Sequence, residues 1–124
     1  MNAVFVGAGG FIGSILRYLL GDLVHRLAGD GFFPYGTLLI NVLGCLFIGL
    51  LNGLVETRQV FGPETRLFLF IGLLGGFTTF STFGYETFAL ARDGEGLAAF
   101  TNIGLQVLLG LGAVWLGNAL VRST

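Results

Sequence analysis

The chain has 124 residues, of which 54% are hydrophobic and only 10% charged, with 22 glycines and a net charge of −1. A soluble domain carries about a quarter charged residues, so this chain lacks the polar surface needed to face water. Its six isolated arginines form no patch for nucleic acid, its single Cys45 excludes an internal disulfide framework, and His25 has no spaced histidine partner for a metal.

A bilayer core of about 30 Å needs about 20 apolar residues of helix. Four segments qualify: 2–20, 32–55, 67–91 and 97–121. They predict an all-α integral membrane protein, one four-helix transmembrane domain spanning 1–124, with both termini on the same side. The first segment carries no positive n-region and no small-residue cleavage pattern, so it is expected to remain in the mature protein. Its glycines at 7, 10 and 13, with Asp30 further on, imitate a dinucleotide-binding fingerprint. That motif has meaning only inside a βαβ unit, and no second strand follows. Gly9 and Gly13 instead predict a small-xxx-small packing face, a spacing repeated by Gly49/Gly53 and Gly72/Gly76. Arg17 interrupts this span, either as an interfacial anchor or as a group drawing anions into a vestibule.

The second span carries Asn41 at its centre, where an unpaired amide is costly. It either bonds another helix or donates to an ion. The third span contains Gly75-Gly76-Phe77-Thr78-Thr79-Phe80-Ser81-Thr82-Phe83. Adjacent glycines weaken a helix and hydroxyls compete for its carbonyls, so this run predicts a break near the centre of the span. Backbone freed at that depth must be buried or line a polar cavity, and freed carbonyls suit a small hard cation. Phe80 and Phe83 sit three residues apart among the hydroxyls and offer positive ring edges to an anion. Glu86, nearer the end of the span, is expected as an interfacial or paired carboxylate. The loops gather Asp22, His25, Arg26 and Asp30, then Glu56, Arg58, Glu64 and Arg66, then Arg92, Asp93 and Glu95. Arg58, Arg66 and Arg122 face Arg26 and Arg92, with Arg17 nearby, so the positive-inside rule selects no orientation. Insertion in both senses and antiparallel pairing follow as an expectation.

The motifs Gly10-x-x-Gly13-x-x-x-Arg17-Tyr18, Gly36-Thr37-x-x-x-Asn41-x-x-Gly44 and the third-span run from Gly75 to Phe83 resemble the Fluc (CrcB) family of fluoride channels, and the likeness covers the whole chain. The resemblance implies an antiparallel, dual-topology homodimer with two fluoride pores, exporting fluoride passively across the plasma (inner) membrane of a prokaryote. It implies a central structural Na⁺, not transported, held by backbone carbonyls of Gly75 and Thr78 from both subunits. By position, Phe80 and Phe83 match the pore phenylalanines and Asn41 the pore asparagine. Ser81 and Thr82, with Thr79, match the polar track, and Arg17 matches the first-span arginine. In the fourth span, Phe100 and Gly104 stand where some members place a tyrosine and a serine, leaving Thr101, Asn102 or Gln106 to supply polar groups. The alternative is a small dual-topology drug/proton antiporter, which would need an acid deep in a span. A non-transporting helical subunit would lack the polar track. No nucleophile–base pair or cofactor motif points to an enzyme.

Overall fold

The computed structural model describes residues 1–29 and 31–124; Asp30, one of the loop charges named above, lies outside the described residues. Helix α1 covers Asn2–Ala28 and α2 covers Tyr35–Arg58. The third span is two pieces. Its first, α3 (residues 63–77), opens with an α-turn at Pro63–Arg66, continues as a π-helical stretch over Leu67–Leu74 and closes with Gly75–Phe77. Its second piece, α4, covers Phe80–Arg92, and the final helix α5 covers Gly96–Arg122. There is no strand among the described residues, and four segments are long and apolar enough to cross a membrane.

The helix ends follow from local chemistry. Gly29 (φ 80°) and Gly94 (φ 82°) take left-handed backbone after α1 and α4. Gln59 (φ 49°, ψ 42°) takes the left-handed helical region after α2, and Pro63 starts α3, where its missing N–H costs nothing. Four ends differ from the sequence expectation by three residues or more; α2 runs on to Arg58 and the third span opens at Pro63, so Glu56, Arg58, Glu64 and Arg66 lie on helices rather than in a loop. Helix α1 continues past residue 20 to Ala28, because nothing breaks it before Gly29 and an Asp22–Arg26 ion pair at 2.7 Å bridges successive turns. Asp22, His25 and Arg26 therefore lie on a helix rather than in a loop. Helix α2 begins at Tyr35 rather than residue 32, because Pro34 restricts Phe33 to extended backbone.

Glycines set the packing. A Cβ at Gly72 would lie 2.9 Å from Gly9 Cα and 2.6 Å from Val6 O, and one at Gly76 would lie 2.9 Å from Gly10 O. The α1 and α3 backbones are thus in direct contact through Gly9, Gly13, Gly72 and Gly76. Gly49 and Gly117 bring α2 against α5 in the same way, with Gly53 against Val121. Such contacts drive association in lipid, where apolar side chains gain nothing from burial. The exposure pattern is that of a membrane protein: Phe11, Leu108, Leu111 and Trp115 point outward, whereas the largest fully buried side chain is the polar Asn102.

A matched pair of substitutions tests this packing. Gly72→Ala is expected to lower stability in detergent by about 1–3 kcal/mol through overpacking. Gly7, which faces open space, is expected to accept Ala neutrally or with a gain of up to about 1 kcal/mol from helix propensity. Thermal unfolding of both variants reads the difference.

Candidate functional site

Between α3 and α4 the backbone leaves the helix for two residues. Thr78 (φ −88°, ψ 160°) and Thr79 (φ −151°, ψ 116°) are extended, and the span as a whole bends by only 16°. The break is therefore a local unwinding between two nearly aligned half-helices. Several of the freed backbone groups near it meet a specific partner. Asn41, on α2, accepts from Thr79 N–H through Oδ1 at 2.9 Å and donates from Nδ2 to Thr79 O at 3.2 Å. The Thr79 hydroxyl caps α4 by accepting from Thr82 N–H at 3.2 Å and donates to Thr82 Oγ1 at 3.0 Å. Thr78 Oγ1 turns back to Leu74 O at 3.0 Å.

Two carbonyls lose their helical donors as a result. In a continuous helix Thr79 N–H would bond Gly75 O and Thr82 N–H would bond Thr78 O. The first now goes to Asn41 and the second to the Thr79 hydroxyl. One turn away, Arg17 of α1 donates from Nε to Gly76 O at 3.0 Å. Its guanidinium thus sits at the carboxyl end of α3, where the helix dipole favours a cation. Arg17 is tied to α3 by this bond and also lines the larger of the two cavities beside the break.

Two cavities adjoin the break. The larger, about 600 Å³, is lined by Ser14, Arg17, Asp22, Thr37, Thr82 and Glu86 among others. A carboxylate oxygen of Glu86, Oε1, is buried in this wall without a hydrogen-bond partner. The smaller, about 380 Å³, is lined by Asn41, Gly75, Thr78, Phe80, Phe83 and Gln106 among others. Thr79 lines both and forms the partition between them. The rings of Phe80 and Phe83 lie 5.5 Å apart, tilted by 55°, and Phe80 is 82% exposed.

Of the residues expected at the site, Arg17, Asn41, Thr79 and Thr82 gather around the break. Phe80, Phe83, Gly75 and Thr78 share the smaller cavity. Ser81 is exposed and lines neither. In the fourth span, two of the three polar residues named from the sequence join the network around the break. Phe100 points outward, Gly104 has no side chain, and the hydroxyl of Thr101 bonds back to Leu97 O. Gln106 lines the smaller cavity and its Oε1 accepts from Asn41 at 3.0 Å, while Asn102, fully buried behind it, donates from Nδ2 to Thr87 Oγ1 at 3.0 Å. Thr87 was absent from the sequence expectation altogether. The visible signal was the Asn102/Gln106 spacing, two amides one turn apart on an apolar helix.

The arrangement offers hydroxyl, amide and guanidinium donors and ring edges around the break in the third span. A family model described as "CrcB-like protein, Camphor Resistance (CrcB)" matches residues 4–118. The chain is 45% identical over 123 residues to the "Fluoride-specific ion channel FluC" of Methylobacillus flagellatus, covering 99% of this chain and 96% of the relative. Proteins of the same name from Nitratidesulfovibrio vulgaris and Clostridium novyi are 46% identical over 114 residues and 43% over 118. The first alignment covers 92% of this chain and 91% of the relative, and the second 95% and 91%.

The break depends on space beneath it. A Cβ at Gly44 would collide with the Thr78 methyl, while the Thr78 Cβ would stay 3.7 Å away. Gly44→Ala is expected to cost about 1–3 kcal/mol. Adding Thr78→Ser, which removes that methyl but keeps the hydroxyl, is expected to restore most of the loss. Thermal unfolding of the single and double variants measures the coupling.

Proposed function

The chain belongs to the CrcB-like family, and we propose that it is a fluoride channel, not an enzyme, letting the anion leave a prokaryotic cytoplasm passively across the cell membrane. The observation that carries this reading is the unwound Thr78–Thr79 segment, which puts a file of donors between two cavities in the middle of an apolar span. The shared name of full-length relatives supports the choice of ion.

Fluoride is small and strongly hydrated, so a pore must replace its water shell continuously. Arg17 brings positive charge to the larger cavity. The hydroxyls of Thr82 and Thr79 follow, and Asn41 shapes the passage into the smaller cavity. There Phe80 and Phe83 present ring edges, whose positive potential favours an anion. Ser81 would join the track from the face that a second copy covers.

Two features support a conducting unit of two antiparallel copies. The arginine near-tie lets each copy insert in either sense. Phe80 and Gly75 also lie on an uncovered face of the single chain, which leaves one wall of the smaller cavity to a partner. Two pores follow from the symmetry. The carbonyls of Gly75 and Thr78, deprived of their helical donors, fit a structural Na⁺ between the copies. Such an ion would supply positive charge and hold the two breaks together. The proton-coupled antiporter would rest on Glu86, which lines the larger cavity rather than the one beside Phe80 and Phe83.

Liposomes containing the purified protein are expected to release fluoride quickly and chloride at the background rate; equal rates, or none, would sink the channel reading. Phe80→Ile and Phe83→Ile are each expected to reduce flux up to about tenfold with assembly intact, given about 0.5–1.5 kcal/mol for an aromatic's specific contact. Reconstitution from the start in a large organic cation instead of Na⁺ is expected to abolish flux, and retained flux would remove the cation from the mechanism.

A further inference from the structure

We propose that Gln106 presents the amide N–H that the anion meets beside Phe80 and Phe83, while Asn41 is a positioning residue that holds the break open. The assignment rests on the channel reading above and concerns which donor serves it.

The argument begins with a directional chain of hydrogen bonds whose two ends are backbone groups. At one end Thr79 N–H can only donate, so the Asn41 atom facing it at 2.9 Å is its oxygen. Asn41 Nδ2 is then turned toward Thr79 O at 3.2 Å and Gln106 Oε1 at 3.0 Å. At the other end Phe83 O can only accept, so the Thr87 hydroxyl donates to it, at 2.8 Å. The Thr87 oxygen must therefore accept from Asn102 Nδ2, at 3.0 Å. Asn102 Oδ1 is left to face Gln106 Nε2, and Gln106 Oε1 to face Asn41. The orientations read from the two ends agree, so no amide in the chain can be flipped without setting like against like.

Counting hydrogens along this chain isolates one residue. An amide nitrogen carries two. Both on Asn41 are committed, to Thr79 O and Gln106 Oε1. The hydroxyl hydrogen of Thr78 goes to Leu74 O, and that of Thr79 to Thr82 Oγ1. Cys45 offers only a weak S–H. Gln106 Nε2 has one protein acceptor, Asn102 Oδ1, at 3.5 Å, the long limit of a hydrogen bond. Among the described residues that line the smaller cavity, Gln106 is thus the side chain with an uncommitted strong donor. It shares that cavity with the rings of Phe80 and Phe83. Asn102 is fully buried and lines neither cavity, so it braces Gln106 without reaching an ion.

The test combines flux with a contact that a brace alone would not produce. Gln106→Met keeps length and removes the donor, and is expected to lower fluoride efflux from liposomes by about tenfold to a hundredfold, the range for a hydrogen bond to a charged group. In the unaltered protein, solid-state NMR with side-chain ¹⁵N labelling is expected to show a ¹⁹F contact at Gln106 Nε2 in fluoride and none at Asn41 Nδ2. Contact at Asn41 alone overturns the assignment. So does unchanged flux in Gln106→Met, and so does reduced flux with no ¹⁹F contact at Gln106, which would make the residue a brace only. In each of these cases the channel reading survives, because the unaltered protein still conducts. Unaltered protein that passes no fluoride overturns both.

Discussion

Inside a hydrocarbon layer no water is available to a backbone group that leaves a helix, and an unpaired N–H or C=O there costs several kcal/mol. That constraint organises this molecule around two residues. Unwinding Thr78 and Thr79 releases donors and acceptors, and side chains, two of them from other helices, receive several of these. Asn41 comes from α2 and takes both faces of the Thr79 peptide groups. Arg17 comes from α1 and takes Gly76 O. Thr79 caps the second half-helix with its own hydroxyl. An amide and a guanidinium within apolar spans are expensive, and the break is the reason they are tolerated.

These partners reach the break only because the backbones are close. Arg17 Nε touches Gly76 O across an interface in which Gly9, Gly13, Gly72 and Gly76 leave no side chains between α1 and α3. On α2, Asn41 and Gly44 are three residues apart and share a face. Gly44 admits the Thr78 methyl, and that contact sets the depth at which Asn41 meets Thr79. The glycine content that first marked the chain as a membrane protein therefore also creates the geometry of the site.

The four spans were legible because apolar length and charge placement are one-dimensional signals. The break was legible for the same reason: Gly75-Gly76 followed by hydroxyls is a local weakness that no neighbour has to supply. The polar end of α1 was misread because charge suggested a loop, while the chain held no breaker before Gly29. Ser81 and Thr82 were matched to the polar track through the family resemblance; within one chain only Thr82 lines a cavity, and Ser81 leaves α4 in another direction, on an exposed face. Asn102 and Gln106 were visible as a pair one turn apart, but their partners were not. The rotation of α5 against α2 is fixed by Gly49 and Gly117, and a nearly uniform apolar helix does not reveal which stripe faces inward.

One consequence concerns the face that a single chain leaves open. Gly75 and Phe80 are exposed there, and the carbonyls of Gly75 and Thr78 have lost their helical donors. Lipid tails can cover the ring of Phe80 but offer nothing to a carbonyl oxygen. Whatever covers this face must therefore bring either hydrogen-bond donors or a cation. A helix bringing donors would need a polar surface of its own at mid-membrane, facing lipid whenever it is unpaired. The second copy proposed above would avoid that problem, because a two-fold axis would set the same carbonyls opposite one another, where the proposed cation would meet both sets. The half-helices on either side of Thr78 and Thr79 explain why such an arrangement is attainable: they keep the span nearly straight while turning a few oxygens out of it.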